Sequence, residues 1–245
     1  MRFSTPALVV ALRPHGEHGA VARLMTPDHG LQAGYVRGAR GRQLRPVLLP
    51  GNQVQATLTA RTEAQLPQAT VELLHSRGPL MAEPLPAVAI DWACALTATA
   101  LPEGQPYSRI YAALDGLLSA VEAAPSASGW GAALVRYELL VLAELGFGLD
   151  LESCAVSGSS SDLVAVSPRS GRAVSAATAV PYAGKLLPLP HFIRDGGAAP
   201  WPDILDGLEL TGHFLLRDLL TDRSASVADS RVRLVDRLRR AAGRA

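Results

Sequence analysis

The feature that most limits how this chain can fold is a series of five short strand-like segments within residues 5–77. Each segment is apolar or alternates apolar and polar residues, and turn-forming Pro, Gly, Asn and Asp residues lie between them. The five segments are residues 7–12, 20–25, 31–37, 54–60 and 71–74. Short strands at this spacing predict a small β-barrel of the oligonucleotide-binding (OB) type. A small Src-homology-like barrel would give a similar series, so the pattern alone leaves both barrels open.

The composition changes after residue 79, where prolines interrupt the chain and Ala and Leu become frequent. Apolar residues then recur at helical spacing, most clearly within residues 130–145, where they form one face. The predicted helices are residues 87–100, 107–123, 130–145, 201–219 and 226–242.

Residues 150–200 are small and polar by comparison, and only a minor hairpin, at 163–166 and 173–174, is predicted there. We therefore predict an α+β protein with an N-terminal β-barrel, of the OB or the Src-homology-like type, over residues 1–79 and an α-helical domain over residues 80–245. Residues 150–200 are expected to form an irregular hairpin module within that helical domain.

The most basic segment follows the third predicted strand and holds four arginines in nine residues without an acidic residue. These arginines are Arg37, Arg40, Arg42 and Arg45, and residues 37–45 are called the arginine loop below. Two glycines in the loop permit positive φ and leave room for a close ligand. Each guanidinium group is a planar fork of donors that matches phosphate oxygens, so the loop is a candidate nucleic-acid contact. A solvated charged loop is the alternative interpretation.

Charge is distributed unevenly along the chain, although the net charge is only +1. Residues 1–61 carry a net charge of +6 and residues 231–245 a net charge of +5, whereas the residues between them carry −10. This asymmetry predicts a polyanionic partner for the two ends and a different partner for the middle.

Two further sites have alternative interpretations. Tyr35, at the end of the third strand, can stack on a base or fill the barrel, and the usual burial of tyrosine rings favours the interior. Arg136 lies in the strongest predicted helix. It is either a solvated base or a residue that holds the acidic tail of a partner peptide beside Leu140.

The sequence contains no nucleophile elbow, phosphate-binding loop, dinucleotide fingerprint or paired-histidine helix. Cys154 has no second cysteine two to four residues away, as a zinc ribbon would need. We therefore expect neither an enzyme nor a bound cofactor or metal.

No apolar run is long enough to span a membrane, no secretory signal is recognised, and two isolated cysteines suit a reducing compartment. A cytoplasmic protein is expected.

Three segments of the chain resemble the RecO family of bacterial recombination mediators. The first combines the turn at residues 13–17 with residues 37–40, and the second runs from residues 135–140 into 145–151. The third contains Cys154 and Gly158, at the head of the region that in many members is a four-cysteine zinc module.

The resemblance implies an OB barrel followed by a helical domain with a zinc-finger-like module. That module is expected to be metal-free and held by packing alone, because only Cys154 remains of the four cysteines. The resemblance also implies binding to single- and double-stranded DNA and annealing of complementary strands. Cooperation with RecR and with the single-stranded-DNA-binding protein SSB, to help RecA load at gaps, is implied as well, at a nucleoid-associated location.

Particular residues follow from the resemblance. The family's basic barrel surface maps onto Arg37 and Arg40, and by proximity onto the rest of the arginine loop. The C-terminal tail of SSB is expected near Arg136 and Leu140. A C-terminal basic stretch that often helps to bind DNA in the family is represented by Arg217, Arg223, Arg231 and Arg233.

Two alternative functions stay open from the residues alone. One is a protein adaptor whose barrel binds a partner chain and whose arginines serve only solubility. The other is an RNA-binding barrel of the kind found in translation.

Overall fold

A computed structural model of the chain describes residues 1–62, 65–124, 126–220 and 225–243. By their internal contacts, the residues form two compact units, Met1–Glu122 (unit 1) and Ala123–Ala245 (unit 2). The sequence suggested a domain boundary at residue 79 instead, because the composition changes there. Within the described ranges, no helix is both long and apolar enough to cross a lipid bilayer.

Unit 1 begins with five strands that close into a barrel in the order β1-β2-β3-β5-β4. They are β1 (Arg2–His15), β2 (Gly19–Thr26), β3 (Gly30–Val36), β4 (Gln53–Thr59) and β5 (Gln68–His75). Neighbouring strands are antiparallel except β3 and β5, which run parallel and share the pair Tyr35–Gln68. This closed five-stranded arrangement confirms the predicted OB-type barrel.

Small and branched side chains fill the interior of the barrel. In β4, Val54, Ala56 and Leu58 are buried and alternate with partly exposed residues, which is the period-two pattern that predicted this strand. β1 is longer than predicted because it continues through Pro6 and Pro14. Its first half pairs with β4 and its second half with β2. Each proline therefore pairs along one edge of β1 only, and the position of its missing N–H can face the unpaired edge.

Two helices complete unit 1, α1 (Pro84–Ala100) and α2 (Ser108–Ala123), after a 3-10 turn at Gly78–Ala82. α1 packs against β1 and buries its apolar face there, with Trp92 fully covered. Buried Arg77 forms an ion pair with Asp115 of α2, at 3.3 Å from Nη2 to Oδ1. The end of β5 is thereby fixed to α2.

Unit 2 contains helices and a small sheet. The sheet has the order β7-β6-β8 and consists of β6 (Leu163–Val166), β7 (Ala173–Ser175) and β8 (Leu187–Pro188). The helices are α3 (Ser128–Glu144), α4 (Ala176–Ala179), α5 (His191–Asp195), α6 (Trp201–Phe214) and α7 (Ala225–Ala242), with a 3-10 turn at Val180–Tyr182. The predicted hairpin and long helices are confirmed, whereas β8, α4 and α5 are too short to show a sequence period.

The centre of unit 2 is the contact between α3 and α6. Two glycines allow this close approach, since an added Cβ would lie 2.8 Å from a facing side chain at Gly131 and 3.0 Å at Gly207. A π-helical turn, Leu215–Leu219, extends α6.

A buried ion pair joins α3 to α7. Glu138 is fully buried and accepts hydrogen bonds from Arg231 Nε at 2.9 Å and from Nη2 at 2.8 Å. Thr211 of α6 donates to the same carboxylate, and Arg231 also donates to the carbonyl oxygen of Leu208 at 2.7 Å. The prediction that Arg231 contacts DNA is therefore wrong, because its guanidinium group is committed to the interior of unit 2.

Candidate nucleic-acid interface

The arginine loop is anchored by apolar residues and exposes its charged ones. Ala39 and Leu48 are buried at the barrel, and Leu44 and Val47 pack partly against its core. The four arginines of the loop are exposed. Gly38 adopts a φ of +69°, and the backbone then turns through bonds such as Arg45 N–H to Gly41 O at 3.0 Å. The loop is thus a folded series of turns with arginines on its outer side.

In the part of the chain that the structure describes, nearby acids do not neutralise the loop arginines. Among the described residues, no ion pair joins any of these four side chains to a carboxylate. Arg40 instead donates from Nη1 to the carbonyl oxygen of Glu17 at 3.1 Å, which links the loop to the turn between β1 and β2. Four positive charges therefore face solvent at this end of the barrel.

Asn52 fixes the far end of the loop. Its side chain is completely buried and donates from Nδ2 to the carbonyl oxygens of Pro46 at 2.9 Å and Val47 at 3.1 Å. Its Oδ1 accepts from the backbone N–H of Arg77 at 2.8 Å. Sequence reasoning missed this role, since an asparagine after Pro-Gly signals only a turn.

Tyr35 lies on the outside of the barrel, half-buried, so the interpretation that favoured the interior is wrong. In β3 the neighbouring residues Gly34 and Val36 are buried and Tyr35 faces the other way. Its ring lies against Gly19, where an added Cβ would come within 2.3 Å of the hydroxyl oxygen. The ring of His15 meets it edge-on, with centroids 5.8 Å apart. The outer face of β3 thus presents an aromatic ring just before the arginine loop.

The C-terminal arginines predicted as DNA contacts have different environments. Arg217 donates from Nε and Nη2 to the carboxylate of Asp218, both at 2.8 Å, and its guanidinium carbon lies 4.7 Å from the centroid of the Phe214 ring. The hydrogen bond with Asp218 raises the pKa of Arg217 above its ordinary value. Asp218 therefore pairs with this guanidinium group, although the side chain of Arg217 stays exposed.

Two of the predicted C-terminal arginines remain. Arg223 lies outside the described residues, and Arg233 is exposed on α7. Further along the helix Arg237 and Arg240 are also exposed. Residues three or four positions apart share a helix face, so these three arginines form a basic stripe.

Arg136 and Leu140 lie one turn apart on α3, and both are half-buried. Arg136 donates from Nη2 to the carbonyl oxygens of Phe192 and Gly197, and it lies 5.4 Å from the centroid of the Phe192 ring. Part of this guanidinium group therefore holds α5 against α3.

Two family models match the chain: Recombination protein O N terminal over residues 1–77 and Recombination protein O C terminal over residues 87–226. The chain belongs to the RecO family. The DNA repair protein RecO of Rhodospirillum rubrum is 43% identical over 98% of this chain and 97% of its own length. Those of Gluconacetobacter diazotrophicus and Bradyrhizobium sp. strain BTAi1 are 42% identical, over 96% and 100% of this chain and 94% and 98% of their own. Membership of the RecO family supports a role in DNA repair and recombination.

The residues around Cys154 do not fit the zinc site of the zinc-bearing RecO proteins. Within the described ranges, no group of three or more His, Cys, Asp or Glu side chains is placed to hold a metal ion. Hydroxyl groups surround Cys154 instead, with Thr178 Oγ1 at 3.2 Å and Ser175 Oγ at 3.5 Å from Sγ. Neutral hydroxyls are not the thiolate or imidazole ligands that structural zinc takes.

Hydrogen bonds, and not packing alone, hold this part of the chain together. Ser175 donates to Cys154 Sγ from both its backbone N–H, at 3.3 Å, and its hydroxyl group. Hydrogen bonds from Ser157, then from Thr178 and Ser175, lower the pKa of the Cys154 thiol to about 5, against the opposing effect of burial. The expectation of packing alone is therefore wrong.

Proposed function

We propose that this protein is a DNA-binding recombination mediator without catalytic residues, which binds single- and double-stranded DNA and anneals complementary strands. In this proposal it works with RecR to help RecA load at gaps covered by SSB. The observation that carries the proposal is the arginine loop: four exposed guanidinium groups on a folded loop, without a carboxylate partner among the described residues.

The proposed contacts act through phosphate. Guanidinium groups pair with phosphate oxygens through two parallel hydrogen bonds, and every nucleotide carries such oxygens whatever its base. Binding by Arg37, Arg40, Arg42 and Arg45 is therefore sequence-tolerant and weakens as salt rises. Tyr35 adds a ring beside them on which a base can stack.

Other proposed contacts lie in unit 2. Arg233 with its exposed neighbours on α7 supplies a second basic surface. The proposed position for the C-terminal tail of SSB is beside Arg136 and Leu140. There, the N–H groups of Arg136 other than those of Nη2 would donate to an acidic group of the tail. The positive charge and the adjoining apolar side chain support this placement.

The salt dependence of DNA binding tests the proposal. We expect the double variant Arg37→Ala/Arg40→Ala to bind a single-stranded oligonucleotide more weakly and to flatten the slope of log affinity against log salt by about 1.4, or about 0.7 per lost phosphate contact. Fluorescence anisotropy at several salt concentrations gives both quantities. The charge-matched control is Arg169→Ala/Arg194→Ala, which removes two exposed arginines from the acidic middle of the chain.

An unchanged slope in the loop variant would exclude these two arginines as phosphate contacts. Absence of DNA binding by the wild-type protein at low salt would favour the protein adaptor. Stronger binding to RNA than to DNA of equal length would favour the RNA-binding alternative.

A further inference from the structure

Unit 1 contains a cleft of about 600 Å³ beside β3. Five segments form its walls: the start of β1, the turn between β2 and β3, β3 itself, the connection before β5 and the connection between α1 and α2. This β3 cleft is large enough for a small planar molecule. The arginine loop does not contribute to its walls.

The course of β3 explains why a cleft exists there. At one end the carbonyl oxygen of Leu31 accepts from Gly104 N–H at 2.9 Å, and at the other end Tyr35 N–H donates to Pro67 O at 2.8 Å. Ala33 lies between them on the same edge of the strand and faces the cleft. Between these two connections, no strand pairs with this edge of β3 at Ala33 among the described residues, although the barrel is closed by the pair Tyr35–Gln68.

The walls of the β3 cleft combine rings with polar groups. The rings of Phe3 and His29 are in contact, with centroids 4.1 Å apart and planes at 37°. Gln32 supplies an amide, and Asp28 supplies an exposed carboxylate. A nucleobase has matching chemistry, since its faces stack on aromatic rings and its edge carries donors and acceptors.

Carboxylates at the cleft favour a base over a phosphate, and the N-terminal ammonium group of Met1 is already bound to the carbonyl oxygen of Ala60 at 2.8 Å. Asp28 and Glu103 both line it, and the one cation that pairs with them is Arg23, at 3.2 Å from Glu103, as far as the described residues show. A carboxylate repels phosphate but accepts a hydrogen bond from the amino group of a base. The arginine loop has the opposite preference.

The cleft and the arginine loop are connected along one strand. From Arg37 back to Ala33 the distance is about 13 Å at the rise of a β-strand, and Tyr35 lies between them. A few nucleotides of an extended strand bridge this distance, with phosphates at the loop and a base at the cleft.

We propose that the β3 cleft takes one unpaired nucleobase of a single strand whose phosphates lie on the arginine loop. The proposal rests on the DNA binding proposed above and adds a means of distinguishing single strands from duplexes. In a duplex the bases are paired and stacked, so none can enter the cleft without being flipped out.

Two substitutions in the cleft test this proposal. His29→Ala removes the exposed ring, and Phe3→Leu removes the half-buried ring while keeping an apolar side chain against the barrel core. We expect each variant to bind a single-stranded oligonucleotide at least about fivefold more weakly, since a stacked base contributes at least that factor. Affinity for duplex DNA and the salt slope should stay unchanged, because no phosphate contact is lost.

The matched control is His191→Ala, which removes a largely exposed histidine from α5 in unit 2. A single-stranded oligonucleotide carrying 2-aminopurine reports stacking directly, and its fluorescence should be quenched by the wild-type protein and less by the cleft variants. Equal losses for single strands and duplexes, or no loss in either variant, would overturn the cleft proposal. The DNA-binding proposal would survive that result, since it depends on the salt slope of the loop variant.

Discussion

Arg231 and Arg233 are two residues apart on α7 and lie in opposite environments. Arg231 points into unit 2 and shares the carboxylate of Glu138 with Thr211. Arg233 is exposed to solvent. Their sequence context gave both the same predicted role, and the partner 93 residues away changes the role of one of them.

The two arginines should respond differently to truncation. Arg231→Ala removes the guanidinium group that pairs with the buried carboxylate of Glu138, so we expect the free energy of unfolding to fall by about 3–5 kcal/mol. Arg233→Ala should change stability by less than about 0.5 kcal/mol, because it removes a solvated side chain. Urea unfolding of both variants measures these values, and similar losses for the two would contradict the assignment.

At the scale of elements, the turn that carries Cys154 meets the junction of β7 and α4. Cys154 and Ser157 are three residues apart, and so are Ser175 and Thr178. The same spacing, C-x2-C twice, supplies the four ligands of a zinc ribbon. Here a thiol and three hydroxyl groups meet through hydrogen bonds in place of four thiolates around a metal.

That arrangement predicts that three substitutions convert this site into a zinc site. The triple variant Ser157→Cys/Ser175→Cys/Thr178→Cys should bind one equivalent of Zn²⁺, because four cysteines would then stand at the sequence spacing of a zinc ribbon, three of them at side chains that already meet. Bound zinc is measured by elemental analysis, and Co²⁺ substitution would show thiolate charge-transfer absorption. The matched control adds Cys154→Ser, which should abolish tight binding. Zinc binding by the wild-type protein at the same level would contradict the conclusion that hydroxyl groups take the place of the metal ligands at this site.

At the scale of the whole molecule, each compact unit carries its own basic surface. Unit 1 exposes the arginine loop, and unit 2 exposes the stripe on α7 formed by Arg233, Arg237 and Arg240. The residues between these two ends of the chain are acidic overall. Two basic surfaces would let one molecule hold two strands at once, as the proposed annealing activity requires.

Annealing should therefore depend on both surfaces, and single-strand binding mainly on one. We expect Arg233→Ala/Arg240→Ala to slow the annealing of complementary oligonucleotides several-fold while affinity for one strand falls less. Energy transfer between labelled strands measures the annealing rate, and anisotropy measures the affinity. A variant with unchanged annealing would show that the α7 stripe has no part in it.

Much of the fold followed from local patterns in the sequence. Alternation in β4, turn residues between strands and the apolar face of α3 predicted elements whose positions are confirmed to within a few residues. The arginine loop was also found from its composition, because exposed charge clusters leave a local signature. The role of Asn52 has no local sequence signature, since it depends on carbonyl groups that are close only in the folded chain.

By itself, the sequence determined the barrel, the order of the helices and the two basic ends, because strand and helix periods and net charge are properties of neighbouring residues. The tertiary structure alone decided which arginines face solvent and which form ion pairs in the protein interior. It also decided that Tyr35 points outward, that hydroxyl groups surround Cys154, and that β3 borders a cleft. These outcomes depend on residues far apart in the chain, whose mutual burial and hydrogen bonding exist only once the chain has folded.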